Sequence, residues 1–129
     1  IKRSGSFGFG LSHLGADAGG RAARSETIRL ETLDGFVAVR NLARLDFVKA
    51  DIEGWEMRLL AGGREAIARF RPAIMVELVT AHLARAGDRP EAVWQQLGGL
   101  GYRSFRLDGA IPAVVDGFSK DSDYLFVPE

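Results

Sequence analysis

The sequence predicts an α/β fold, with a mostly parallel sheet covered by helices and a late antiparallel strand pair. Three observations predict it. Phe47, Val48, Ala50 and Ile52 form a short, largely apolar run that reads as a buried strand. Ala73-Ile74-Met75-Val76-Glu77-Leu78-Val79 is a second apolar run, of the kind a central parallel strand covered on both faces presents. Between them Trp55, Leu59, Leu60, Ala66, Ile67 and Phe70 recur at helical spacing, so the order is strand, helix, strand with a right-handed crossover.

A chain of 129 residues suits one domain and can bury an adequate core. Residues 1–25 read as a glycine- and serine-rich loop or linker segment, and residues 26–129 as the folded part. Gly5, Gly8 and Gly10 lack the preceding strand and following helix that a nucleotide-binding fingerprint needs. That stretch therefore reads as a flexible or partly packed surface loop. Thr27 to Thr32 alternates apolar Ile28 and Leu30 with polar Arg29 and Glu31, which predicts a half-buried strand. Leu33 to Leu45 is a short helix or an irregular connection, with Asp34 either in a turn with Gly35 or capping that helix.

Gly54 opens the long helix, and Gly62-Gly63 interrupts it at a cost of about 1 kcal/mol per glycine relative to alanine. Either the helix kinks there or two shorter helices meet. Pro72 ends the run. Asp88 is placed to cap the next helix, with Glu91 reaching back, and Val93, Trp94, Leu97 and Leu100 form its buried stripe before Gly101. Residues 102–107 and 122–127 make the late strand pair, and residues 111–115 are a short strand or a loop.

The balance of 17 basic and 17 acidic residues gives no global reason to bind nucleic acid or an anionic membrane. Aromatic residues do not interleave with basic ones in a nucleic-acid-binding pattern. The absence of cysteine excludes a disulfide framework and a thiolate metal site, and suits a reducing compartment. No run has the length of a membrane span and no signal-peptide pattern opens the sequence, so a cytoplasmic location is expected.

Ligands of open α/β sheets sit beyond the carboxyl ends of the strands, which is where Asp51 and Glu53 fall. Two apart, they share a face for as long as the strand continues. Asp51 either faces a ligand, metal or substrate proton, or caps the following helix. Glu53 is either a second such group or a first-turn carboxylate favoured by the helix dipole. Glu56 reads as solvated or capping, and Lys49 as the partner of Asp51. Glu77 lies inside an apolar strand, so it needs a partner or an open strand end. It either converges with Asp51 on one pocket or pairs with an arginine. His13 and His82 are lone histidines without the spacing of a metal site. His82 reads as a solvated loop residue, with a proton carrier in the cleft as the alternative.

The run Lys49-x-Asp51-x-Glu53-Gly54-x-Glu56, followed by Leu60 and Gly62, resembles the signature of the FkbM-type methyltransferases. Arg71-Pro72-Ala73-Ile74-Met75-Val76-Glu77 fits that family's proline-led strand with a glutamate near its end. Ile28-Arg29-Leu30-Glu31-Thr32-Leu33-Asp34 fits its strand running into Thr-Leu-Asp. The resemblance covers residues 26–80 well. It implies the C-terminal half of a Rossmann-like methyltransferase fold, using S-adenosylmethionine to methylate a hydroxyl of a small molecule or sugar. It also implies Asp51, Glu53 and Glu77 as catalytic residues. The glycine-rich turn and ribose-binding acid of such enzymes have no counterpart here. Donor-binding motifs are therefore expected upstream, with this portion inactive alone and its exposed sheet edge inviting a homo-oligomer. Two other readings stand beside this one: an Mg²⁺-dependent hydrolase holding its ion with Asp51, Glu53 and Glu77, and a non-catalytic α/β interaction module.

Overall fold

The computed structural model describes residues 29–129 and three two-residue strands near the start of the chain. The chain divides into two units, Ile1–Leu30 and Glu31–Glu129. In the first, β1 (Lys2–Arg3) pairs antiparallel with both β2 (Ser12–His13) and β3 (Arg24–Ser25). The rest of the expected loop or linker over residues 1–25 lies outside the described residues, as do Thr27 and Ile28 of the expected strand.

The second unit begins without that strand: residues 29–32 have no strand structure. Thr32 is committed instead to capping α1 (Leu33–Val39), where its Oγ1 accepts from the Gly35 N–H at 3.0 Å. Asp34 does not cap its own helix. Its carboxylate accepts from the Ala66 and Glu65 N–H groups at 2.8 and 3.3 Å, which are free donors in the first turn of α3 (Arg64–Phe70). The anticipated interruption is a true break, because α2 (Glu56–Gly62) and α3 are separate helices meeting at Gly63. A Cβ on Gly63 would lie 2.9 Å from Leu33 Cδ2, and one on Gly62 would lie 3.1 Å from Thr32 Cγ2. The two glycines thus let Thr32-Leu33-Asp34 seat directly on the junction.

Arg71 ends α3 in a left-handed conformation, φ 46°, and Pro72 hands over to β5 (Ala73–Leu78). The Arg71 guanidinium donates to the carbonyls of Leu100, Gly101 and Glu129 at 2.9, 3.1 and 3.3 Å, and its Cζ lies 5.4 Å from the centre of the Tyr102 ring. One side chain therefore ties the α3 end to the start of β6 (Tyr102–Arg106) and to the last residue.

The sheet has five strands in the order β4 (Phe47–Ala50), β5, β8 (Ser122–Pro128), β6, β7 (Ala113–Val114). Only β4 and β5 pair in parallel, so the expectation of a mostly parallel sheet is corrected. The physical reason is the last strand: β8 inserts between β5 and β6 and runs antiparallel to both. The expected late antiparallel pair is this β6–β8 ladder. Because β8 opposes both neighbours, β4, β5 and β6 still point the same way, and their C-terminal ends share one edge of the sheet.

Strand β4 is at the sheet's margin, not buried as its apolar composition suggested: Phe47 is 52% exposed and Ala50 alone is buried. In β5 burial alternates, with Ile74, Val76 and Leu78 fully inside and Ala73, Met75 and Glu77 half-buried. Those three inward residues join Leu60, Ile67, Leu83, Val93, Leu97, Tyr124 and Phe126 in the core. Trp94 of α5 (Pro90–Gly99) meets the Tyr124 and Phe126 rings edge-on at 5.2 and 5.1 Å, contacts contributing about 0.5–1.5 kcal/mol each beyond burial. The α5 start differs from expectation. Arg89 is the N-cap without a side-chain bond, and Asp88 pairs with Arg58 at 3.1 Å. Leu100 is 41% exposed, so the buried stripe ends at Leu97.

Candidate functional site

The site is built by the turn that follows β4. The strand stops at Ala50, so Asp51 and Glu53 do not share a strand face. Glu53 and Gly54 both take left-handed backbone, φ 55° and 102°, and α2 begins only at Glu56 with Trp55 as its N-cap. Glu53 is therefore not a first-turn helix residue, and Gly54 lies in the turn before the helix. The turn presses against α4 (Thr80–Arg85): a Cβ on Gly54 would stand 2.2 Å from the His82 carbonyl oxygen.

Glu56 closes the turn from inside. It is almost fully buried, and its Oε1 accepts from the Gly54 N–H at 3.3 Å, so of the two readings of Glu56 capping holds and solvation does not. Its Oε2 is buried without a hydrogen-bond partner. Burial pushes the Glu56 carboxyl up, against the backbone N–H groups of Glu56, Gly54 and Ile52 and the charge of His82.

Around this turn the charged groups gather. Asp51 is half-exposed and pairs with Lys49 at 3.3 Å, the pairing the sequence suggested. Glu53 is only 16% exposed and faces two side chains of α4: the Arg85 guanidinium at 3.4 Å and the His82 Nε2 at 3.7 Å. Glu77 stands directly opposite Asp123 in the β5–β8 ladder, an arrangement of like charges that is unfavourable by itself. Burial raises the Glu77 carboxyl, and the charges of Asp51, Asp123 and Glu53 add to the rise while His82 opposes it. Glu77 and Asp51 are thus electrostatic neighbours. Among the described residues no arginine lies within ion-pairing distance of Glu77, so the arginine alternative is not realised.

His82 is the residue that sequence reasoning undervalued. It lies on a helix, not in a solvated loop, with its side chain 25% exposed. The available signal was the pair His82 and Arg85, three apart and therefore on one helix face, directly after the strand bearing Glu77. The α4 start is fixed by Asp121, whose Oδ1 accepts from the Thr80 N–H at 3.0 Å and the Thr80 hydroxyl at 2.6 Å. The Thr80 hydroxyl bond holds the Asp121 carboxyl below its ordinary range. Nearby, Asp108 pairs with both Arg106 and Lys120 and is lowered to about 2, latching the β6–β8 connection at the same edge.

Among the described residues no three His, Asp or Glu side chains are arranged to hold a metal ion, so the Mg²⁺ reading lacks its ligand set. A groove between α1 and α3, lined by residues including Asp34, Asn41, Glu65 and Arg69, shares none of these groups. No helix among the described residues is long and apolar enough to cross a membrane.

Residues 2–104 match the family model described as the methyltransferase FkbM domain. The chain belongs to that family. The match extends well beyond the signature, from β1 into β6, and takes in Asp51, Glu53, Glu77 and His82. Comparison with curated proteins and with solved structures finds no match. For a chain of the FkbM family the methyl donor implied is S-adenosylmethionine. The edge fits one property of it: a half-exposed carboxylate, as on Asp51, favours a positive charge nearby, such as a sulfonium.

Proposed function

We propose that the protein transfers a methyl group from S-adenosylmethionine to a hydroxyl of a small molecule or sugar. The observation that carries this reading is the convergence of Asp51, Glu53 and Glu77 around the shared C-terminal edge of β4 and β5, within a chain of a methyltransferase family. When bound, the donor supplies an electrophilic methyl on sulfur. The chain's own residues act on the acceptor. Asp51, half-exposed, accepts a hydrogen bond from an acceptor hydroxyl beside the reacting one and so orients the reacting oxygen. Glu77, desolvated among other carboxylates, binds a second hydroxyl of the acceptor. Glu53, locked by His82 and Arg85, fixes the wall of the crevice.

The test is transfer of labelled methyl from S-adenosylmethionine by the natural protein to a panel of sugars, alcohols and phenols, with the methylated atom located by NMR. Label on oxygen is expected. Label on nitrogen or carbon would overturn the hydroxyl assignment. Turnover that needs Mg²⁺ and no methyl donor would instead favour the hydrolase reading.

A further inference from the structure

His82 has no part in the roles assigned above beyond its contact with Glu53, yet its position gives it one. Its Nε2 points at the Glu53 carboxylate across 3.7 Å, too long for a hydrogen bond and short enough for an ion pair once the ring is protonated. Glu77, Glu56 and Asp121 lie within electrostatic reach of it, while Glu53 is the carboxylate in contact. Arg85 is the countervailing cation, shared through Glu53. Catalytic contacts are commonly long in the empty enzyme and tighten with substrate, so 3.7 Å does not disqualify His82.

Resting on the methyl-transfer reading, we propose that His82 is the general base of the reaction and Glu53 its positioning residue. As the C–O bond forms and the S–CH₃ bond breaks, the acceptor's O–H bond breaks and its proton passes to His82 Nδ1, the ring nitrogen not turned on Glu53. The products are the methyl ether, the neutral thioether S-adenosylhomocysteine and an imidazolium facing Glu53, which then loses its proton to water. Glu53 reaches this position only because its left-handed turn is seated on the α4 backbone at Gly54.

The alternative is that His82 and Arg85 merely clamp Glu53, and two substitutions separate these roles. In the natural protein, His82→Gln lowers methyl transfer by about 100-fold or more, the usual worth of a general base, while Arg85→Ala costs less than about tenfold. Comparable losses in the two variants would identify a clamp and overturn the proposal, as would near-normal transfer by His82→Gln. A readout independent of turnover accompanies this. Carbethoxylation of His82 by diethyl pyrocarbonate, mapped by mass spectrometry, is expected to slow severalfold when S-adenosylhomocysteine is bound. An unchanged rate with the ligand bound would put His82 outside the cleft and overturn the assignment. Calorimetry with S-adenosylmethionine distinguishes the two levels: no binding by the unsubstituted protein overturns the methyl-transfer reading itself, whereas binding with His82 unprotected overturns only the base.

Discussion

At Gly54 two demands meet: a backbone φ of 102° and the His82 carbonyl oxygen 2.2 Å from where a Cβ would stand. Backbone conformation alone costs an ordinary residue about 1–2 kcal/mol there, and the clash is with main chain that cannot swing away. Gly54→Ala is expected to destabilise the protein by about 3 kcal/mol or more in chemical denaturation, and a loss below about 1 kcal/mol would contradict this packing. Glu56 makes a second prediction at this scale. Its folded-state pKa lies above its ordinary 4.5, so within that window the folded state holds more protons than the unfolded one. The stability it contributes is complete below the ordinary pKa and is lost as pH rises through the raised one. Glu56→Gln keeps an acceptor for the Gly54 N–H and has no proton to lose. Its stability relative to the unsubstituted protein should therefore rise as pH climbs above the ordinary 4.5 and through the raised value, measured as denaturation midpoints. A constant difference would show that Glu56 is not desolvated.

The elements explain why Thr32-Leu33-Asp34 and Gly62-Gly63 go together. One triplet caps α1 through Thr32 and α3 through Asp34, and the paired glycines open the surface on which it sits. Asp34→Ala is expected to cost about 1 kcal/mol, the worth of a helix cap, with the loss seen as faster amide exchange at Glu65 and Ala66. Unchanged exchange at both positions would contradict the cap. These relations mark the reach of sequence reasoning. Periodicity, Pro72 and the glycine pair were enough to place β4, the broken helix and β5, because each rests on local chemistry. Residues 29–32 misled it, since alternation in Arg29–Glu31 says nothing of whether Thr32 will be taken for a cap. Helix α4 went unread because six residues are too few to show a period, and His82 was undervalued with it.

For the molecule as a whole, the limiting information was tertiary. An apolar run does not say whether its strand is central or marginal, so β4 read as buried although Phe47 is exposed. A late strand pair does not say that β8 will insert between β5 and β6, which makes two of the four neighbour pairings antiparallel, with β6–β7 the third. The carboxylates were easier to find. Asp51 and Glu77 stand out because acidic residues at the ends of apolar strands have few structural uses, and pairing β4 with β5 brings them together. The account's central claim is that this edge is the acceptor side of a methyl-transfer site. It is tested most directly by Glu77→Gln in the natural protein, with S-adenosylmethionine affinity and methyl-transfer rate measured side by side. The account predicts donor binding within about twofold and transfer lowered by about 100-fold. Equal transfer by the two proteins, or loss of donor binding in step with transfer, would contradict it.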